Sequence, residues 1–411
     1  LRLAQRAGIR GDAGRRPRST ICNDIMHIND LLKIAVSSGA SDLHLKVGSY
    51  PMMRLNGSLV VVSEEKRLDR PDTESMANAL FTPDHLEKFR KSQEVDLAYS
   101  VPGLGRFRVN VFQQRGTVGL VLRVIPHRIK TIDELGLPPV LKRIAAEERG
   151  LVLVTGTTGS GKSTTLAAMI DYVNATRSAH IMTVEDPIEY LHRDHHSLVN
   201  QREVAVDTKS FSHALRSALR QDPDVILVGE MRDFETVETA LLAAETGHLV
   251  FSTLHTLDAT ETINRIITVF PPHQQRQVRI QLASVLKAAI SQRLLPRADG
   301  AGRVAAVEVM VSTAFIRDAI VDKDKTSMIH GAIAAGTSQY GMQTFDQSIF
   351  SLYQHGLVTL EEALRWASNV DEFKLKVQGI STSVDMSREA ANAPKPAPRA
   401  GGPPEITRFG G

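Results

Sequence analysis

The sequence predicts an α/β protein: a parallel sheet covered by helices on both faces, preceded by a smaller α+β domain. Three observations carry this. Near-continuous apolar runs, LVLVTG, HIMTVED, DVILVGE and HLVFSTLH, alternate with helical stretches between residues 150 and 256, as strands buried on both faces require. Before residue 126 the apolar pattern instead has period two, with Gly or Pro at its turns, which indicates antiparallel strands. A glycine-rich loop sits where LVLVTG gives way to a helix, a strand–loop–helix arrangement suited to phosphate binding.

The first block, 26–130, opens with a helical pattern in HINDLLKIAVSSG that ends at Gly39. Strand patterns follow in SDLHL, PMMRLNG, SLVVVS, VDLAYSVPG, RFRVNVFQQRG and VGLVLRVIP, interrupted by a helical piece near 75–89. Residues 131–139 read as a linker, and 140–375 as the second domain. After Phe270 the pattern becomes mostly helical, with HQQRQVRIQLASVLKAAISQRLL expected as helix.

The 411 residues suit two or three domains, and 42% hydrophobic with 23% charged residues is ordinary for a soluble globular chain. The single cysteine, Cys22, excludes an internal disulfide and a cysteine-built zinc site, and fits a reducing compartment. No apolar run approaches the ~18–20 residues of a transmembrane helix, so a cytoplasmic chain is expected. The net charge is +3, yet Arg2, Arg6, Arg10, Arg15, Arg16 and Arg18 against Asp12 place +5 in residues 1–20 and leave −2 for the remainder. That balance argues against a nucleic-acid partner, which calls for a basic folded face. Residues 1–25 read as a disordered basic leader, with Met26 a candidate start, and 376–411 as a disordered Pro/Gly-rich tail.

GTTGSGKS, residues 156–163, is the Gly-x-x-x-x-Gly-Lys-Ser pattern. Backbone N–H groups of such a loop turn inward around phosphates, and the helix N-terminus adds positive potential. Gly156, Thr157, Thr158, Gly159, Ser160, Gly161, Lys162, Ser163 and Thr164 are therefore the predicted nucleotide-binding residues. Lys162 is expected to reach the terminal phosphates, and the Ser163 hydroxyl to hold Mg²⁺. ATP and Mg²⁺ are the cofactors this implies.

Phosphoryl transfer to water also needs carboxylates. DPDVILVGEMRD ends a strand at Glu230, with Gly229 where a metal-holding aspartate is usual. Glu230 is the candidate for orienting water and completing the Mg²⁺ shell. IMTVEDPIEY offers Glu185, Asp186 and Glu189 at a second strand end. TGHLVFSTLHT sets His248 and His255 at the two ends of one apolar strand. From the residues alone a metal pair, a contact to the terminal phosphate and two satisfied polar caps all stay open, although alternation along the strand weakens the first.

Taken in order and spacing, GTTGSGKSTT, VEDPIEY, RQDPDVILVGEMRD and AETGHLVFSTLHT resemble the Walker A, Asp, Walker B and His boxes of the secretion ATPase superfamily. The likeness runs over about residues 26–372 and is nearest the type IV pilus retraction ATPases of twitching motility. It implies a RecA-like P-loop NTPase domain with a small PAS-like α+β domain before it, assembled as a homo-hexameric ring that works on the inner-membrane pilus platform protein. It further implies catalytic roles for Lys162, Glu189, Glu230 and His255, nucleotide contacts for Glu185 and His248, and arginines from the small domain, here Arg108 and Arg123, near the phosphates. In that family the His box transmits nucleotide state. An accessory retraction ATPase, which could pair with its paralogue, or a pilus-extension or type II secretion ATPase, shares the same boxes; the latter group carries a four-cysteine module absent here. Thr157 stands where many members have proline. AFIRDAIVDKDK matches the motif linked to retraction in part, with Val321 in place of an arginine.

Overall fold

The computed structural model describes residues 27–380 except Asn56 and His127. The expected leader and most of the expected tail lie outside the described residues. Between Ile125 and Pro126 the chain divides into two compact units.

In the first unit β1 (Asp42–Lys46), β2 (Met52–Leu55), β3 (Ser58–Val61), β4 (Glu94–Val101), β5 (Gly105–Gln114) and β6 (Thr117–Ile125) form one sheet ordered β3-β2-β1-β6-β5-β4. Every neighbouring pair is antiparallel. Alternation sends Leu43, Leu45, Phe107, Val109, Leu120 and Leu122 into one core. That core also takes Leu31 and Leu32 of α1 (Ile28–Ser37) and Met76 of α2 (Arg70–Leu80). The single helical piece expected near 75–89 is two helices, because Pro83 begins α3 (Pro83–Ser92) behind a Thr82–His85 capping box.

The second unit holds α4 (Val140–Ala145), β7 (Gly150–Thr155), α5 (Lys162–Thr176), β8 (His180–Glu185), β9 (Leu198–Glu203), α6 (Phe211–Ala218), β10 (Val225–Val228), α7 (Phe234–Glu245), β11 (Leu249–Leu254), α8 (Ala259–Thr268), α9 (Gln275–Val285), β12 (Leu286–Pro296) and β13 (Arg303–Val311). Short helices close it: α10 (Ala314–Val321), a 3₁₀ turn at Lys323–Met328, α11 (Ile329–Ala335), α12 (Thr337–Tyr340), α13 (Phe345–Gln354), α14 (Leu360–Trp366) and α15 (Val370–Val377). The sheet order is β13-β12-β7-β11-β10-β8-β9, parallel except for the β12–β13 pair. Leu151 and Leu153 point into one core and Val152 and Val154 into the other, so the sheet is buried on both faces as the apolar runs require. Ile132 and Leu137, within the stretch expected as a linker, are buried in the second of these cores.

One expectation is corrected. The stretch HQQRQVRIQLASVLKAAISQRLL is helical only to Val285; from Leu286 it is β12. Its alanines favour helix, but pairing with β7 on one side and β13 on the other uses the backbone groups of the whole segment, and tertiary pairing overrides propensity. Among the described residues no helix is long and apolar enough to cross a membrane.

Candidate nucleotide site

Four parallel strands end together. Thr155 of β7 lies in register with Leu254 of β11, Val228 of β10 with Ser252 of β11, and Val184 of β8 with Val228. The turns that follow therefore share one sheet edge, where such folds place their ligands.

The loop after β7 is held by close backbone approach. Gly156 has φ +139°, and a Cβ there would lie 2.4 Å from the Gln292 carbonyl oxygen and 2.6 Å from the Ser160 hydroxyl. A Cβ on Gly161, φ +92°, would lie 2.7 Å from Gln292 Nε2. Only glycine fits both places. Gln292 Oε1 also accepts from Thr165 Oγ1 at 2.7 Å, and Thr155 Oγ1 donates to Ser291 at 3.0 Å. Gln292 thus clamps the loop to β12. Sequence reasoning missed it because it lies in the stretch read as helix.

Lys162 begins α5; its buried Nζ donates to the carbonyls of Gly156 at 2.8 Å and Thr157 at 3.0 Å. Burial lowers its pKa, against the pull of Glu230 and Glu189. Those two carboxylates thus act electrostatically on the loop lysine. Ser160 Oγ is buried without a hydrogen-bond partner among the described residues, a donor left for a ligand. Thr157, Thr158 and Gly159 are exposed, Ser163 is half-buried, and Thr164 Oγ1 bonds Tyr190 at 2.8 Å.

Glu230 is 15% exposed at its side chain; Oε2 lies 3.3 Å from His255 Nε2, and Oε1 pairs with Arg232. The glycine before it sits in a tight place: a Cβ on Gly229 would come 3.3 Å from Glu185 Cα and from the Val184 carbonyl oxygen. On β8, Glu185 Oε1 accepts from Thr183 Oγ1 at 2.7 Å and Gln201 Nε2 at 3.1 Å. Burial raises its pKa against those bonds. Glu189, exposed, sits four residues on, and Asp186 is exposed.

The structure separates the two histidines. His255 follows the carboxyl end of β11, whereas His248 precedes its amino end, about 20 Å away at roughly 3.3 Å per residue. His248 Nδ1 meets the Ala243 carbonyl at 2.9 Å and Thr246 Oγ1 at 3.3 Å. His248 thus caps the end of α7, apart from the strand ends where Glu230 and His255 meet, and the separation rules out an ion shared by the two histidines.

Arg108 and Arg123 belong to the first unit, directly opposite each other on β5 and β6. Asp42 is opposite Arg123 on β1, and its Oδ1 accepts from Arg123 Nε at 2.9 Å. Burial raises the Asp42 pKa, but bonds from Ser41 and Arg123 and the charge of Arg123 outweigh it and the net shift is down. Arg108 is exposed and makes no ion pair among the described residues.

A cavity of about 480 Å³ runs along Gly156–Ser160. Leu257, Leu294 and Trp366 give it apolar surface, and Arg293, Arg303 and Arg365 positive charge, a mixture suited to an anionic organic ligand. None of these was singled out in the sequence.

A parallel sheet with a glycine-clamped phosphate loop, a buried lysine and a strand-end glutamate defines a P-loop nucleoside triphosphatase with a RecA-like core. The family described as Type II/IV secretion system protein matches residues 23–336, and the chain belongs to it. It is 47% identical over 348 residues to the type IV pilus retraction ATPase PilT of Pseudomonas aeruginosa, covering 85% of this chain and 100% of that one. It is 42% identical to the type IV pilus ATPase PilU of the same organism, over 86% of this chain and 92% of that one. The crystal structure of the pilus retraction motor PilT with bound ADP superposes with a TM-score of 0.79 at 48% identity, covering 84% of this chain and 98% of that one.

Proposed function

We propose that this chain hydrolyses ATP to power type IV pilus disassembly and retraction, as a homo-hexameric ring at the cytoplasmic face of the inner-membrane pilus base. The observation that carries the reading is 47% identity across the whole length of a retraction ATPase, joined to the gathering of Lys162, Glu230 and His255 at one sheet edge.

The loop N–H groups, the Ser160 hydroxyl and Lys162 bind the phosphates, and their donor character matches a polyanion. Ser163 and Glu230 supply oxygen ligands that fit Mg²⁺, directly or through water. When bound, Mg²⁺ neutralises charge on the terminal phosphates. Glu230 holds the attacking water and accepts its proton, with Glu189 as a further carboxylate near the lysine. His255 fixes the Glu230 carboxylate and reports the state of the terminal phosphate to the turn before α8. Arg108 and Arg123 serve as cationic contacts to the phosphates across the ring, where a planar guanidinium grips two oxygens. The platform protein is the proposed partner.

Similarity to PilU favours a second reading, an accessory retraction ATPase working beside a paralogue. Deletion in the native host separates the readings. Loss of twitching with excess surface pili, not restored by a Lys162→Ala copy, is the expected outcome. Bald cells would point to extension and overturn the proposal. Normal piliation with weakened retraction under load would assign the accessory role.

A further inference from the structure

We infer that Glu308 is a positioning residue for hydrolysis: its buried carboxylate ties the turn that carries His255 to β13, and so holds His255 against Glu230. The inference rests on the hydrolytic reading above.

Glu308 lies on β13 and is 2% exposed. Its Oε1 accepts from the backbone N–H of Ala259, the first residue of α8, at 2.9 Å. The four residues between β11 and α8 are His255, Thr256, Leu257 and Asp258. Apart from the His255 contact to Glu230, their other bonds are local. Asp258 caps the N–H of Glu261 at 2.7 Å, Glu261 accepts from the N–H of Leu257 at 2.8 Å, and Thr256 meets Thr262 at 2.6 Å. Of the described hydrogen bonds made by residues 256–259, the one to Glu308 leaves the turn and its own helix. A turn sewn only to its helix moves with that helix. The Glu308 bond instead fixes it to the sheet, two strands from the phosphate loop.

A carboxylate in this position is costly unless the bond is used. Burial raises the pKa of Glu308 to about 7, opposed by the Ala259 N–H and by Arg293, and helped by Asp258 and Asp346. Those groups face it from the α8 cap, β12 and α13. Arg293 is itself stacked 3.9 Å over the Phe345 ring. An ionised acceptor at a helix N-terminus binds the N–H more strongly than a neutral one. The tie therefore tightens as pH rises through about 7.

The test uses the full chain, with kcat and KM for ATP measured from pH 6 to 8 and binding of a fluorescent ATP analogue measured separately. Glu308→Leu removes the acceptor; kcat should fall roughly 10- to 100-fold, as expected for a displaced catalytic contact, with KM and analogue affinity close to wild type. Glu308→Gln keeps an acceptor but cannot ionise; it should retain most of the activity and lose the inflection of kcat near pH 7. Ala259→Pro removes the donor at a helix position that accepts proline, although Ala259 is buried, and it should reproduce the kinetics of the Leu variant with analogue affinity close to wild type. Wild-type kcat in both Glu308→Leu and Ala259→Pro, or an unchanged inflection in Glu308→Gln, would overturn the inference. A wild-type chain that binds the analogue but never hydrolyses ATP would instead overturn the hydrolytic reading.

Discussion

The Nε2 atom of His255 lies 3.3 Å from Oε2 of Glu230, joining the ends of β11 and β10. The imidazole is thereby placed to orient the strand-end carboxylate. Glu230→Gln should keep ATP binding and lower turnover by about 10²–10⁴, the usual worth of a general base. His255→Gln should cost less, since the carboxylate remains. Steady-state phosphate release and equilibrium nucleotide binding on the same preparations check both, and full turnover in the Glu230 variant would remove its role.

Lys162 spends its ammonium on the Gly156 and Thr157 carbonyls, within reach of any phosphate held by the loop. Lys162→Ala should abolish measurable ATP affinity in calorimetry while leaving the thermal transition largely in place. Retained affinity would contradict the assignment.

Arg108 and Arg123 face each other, yet only Arg123 is tied down, to the buried Asp42. Arg108→Ala should leave the melting temperature unchanged and reduce turnover of the proposed ring, without weakening nucleotide binding by isolated subunits. Arg123→Ala should do the same and also lower the melting temperature, because it leaves a buried carboxylate poorly compensated. Equal stability of the two variants would sink that distinction.

Gly156→Ala places a methyl 2.4 Å from the Gln292 carbonyl at φ +139°. Overpacking of this kind costs about 1–3 kcal/mol, and the strain adds to it. The variant should melt earlier and lose nucleotide affinity. Gln292→Ala, which removes the Thr165 bond, should loosen the loop and weaken affinity without comparable loss of stability.

His192 sits in the turn after the β8 carboxylates, and burial lowers its pKa from 6.5 to about 4. The folded chain favours the neutral ring, so this contribution to stability is complete above pH 6.5 and is lost as pH falls from there toward 4. Melting temperature should fall across that window, and His192→Phe should flatten the fall. A variant with the same pH dependence as wild type would refute it.

Much of this architecture could be read from the residues. Apolar runs buried on both faces marked β7, β8, β10 and β11, and the loop pattern marked 156–163, because both depend on local sequence. What escaped depended on distant pairing. The alanines of β12 gave a helical signal, and only the neighbours β7 and β13 decide otherwise. Gln292 and Glu308 went unnoticed for the same reason. Their partners, Thr165 and Ala259, are 127 and 49 residues away in the chain. His248 was legible as a polar residue at a strand end, but not as a helix cap, since that needs the position of the α7 carbonyls.

The ladder formed by β12 has a mechanical consequence. β12 is joined to β13 over nine residue pairs and to β7 in parallel, and β13 is tied to the closing helices by the Ser348 hydroxyl, which accepts from the N–H of Val307. Tension drawn along these strands is resisted in shear, so many hydrogen bonds must fail at once, not one after another. Forced unfolding is governed by the height of that barrier. The segment that grips the phosphate loop is thus also a route by which a pull on the C-terminal helices can be borne in shear.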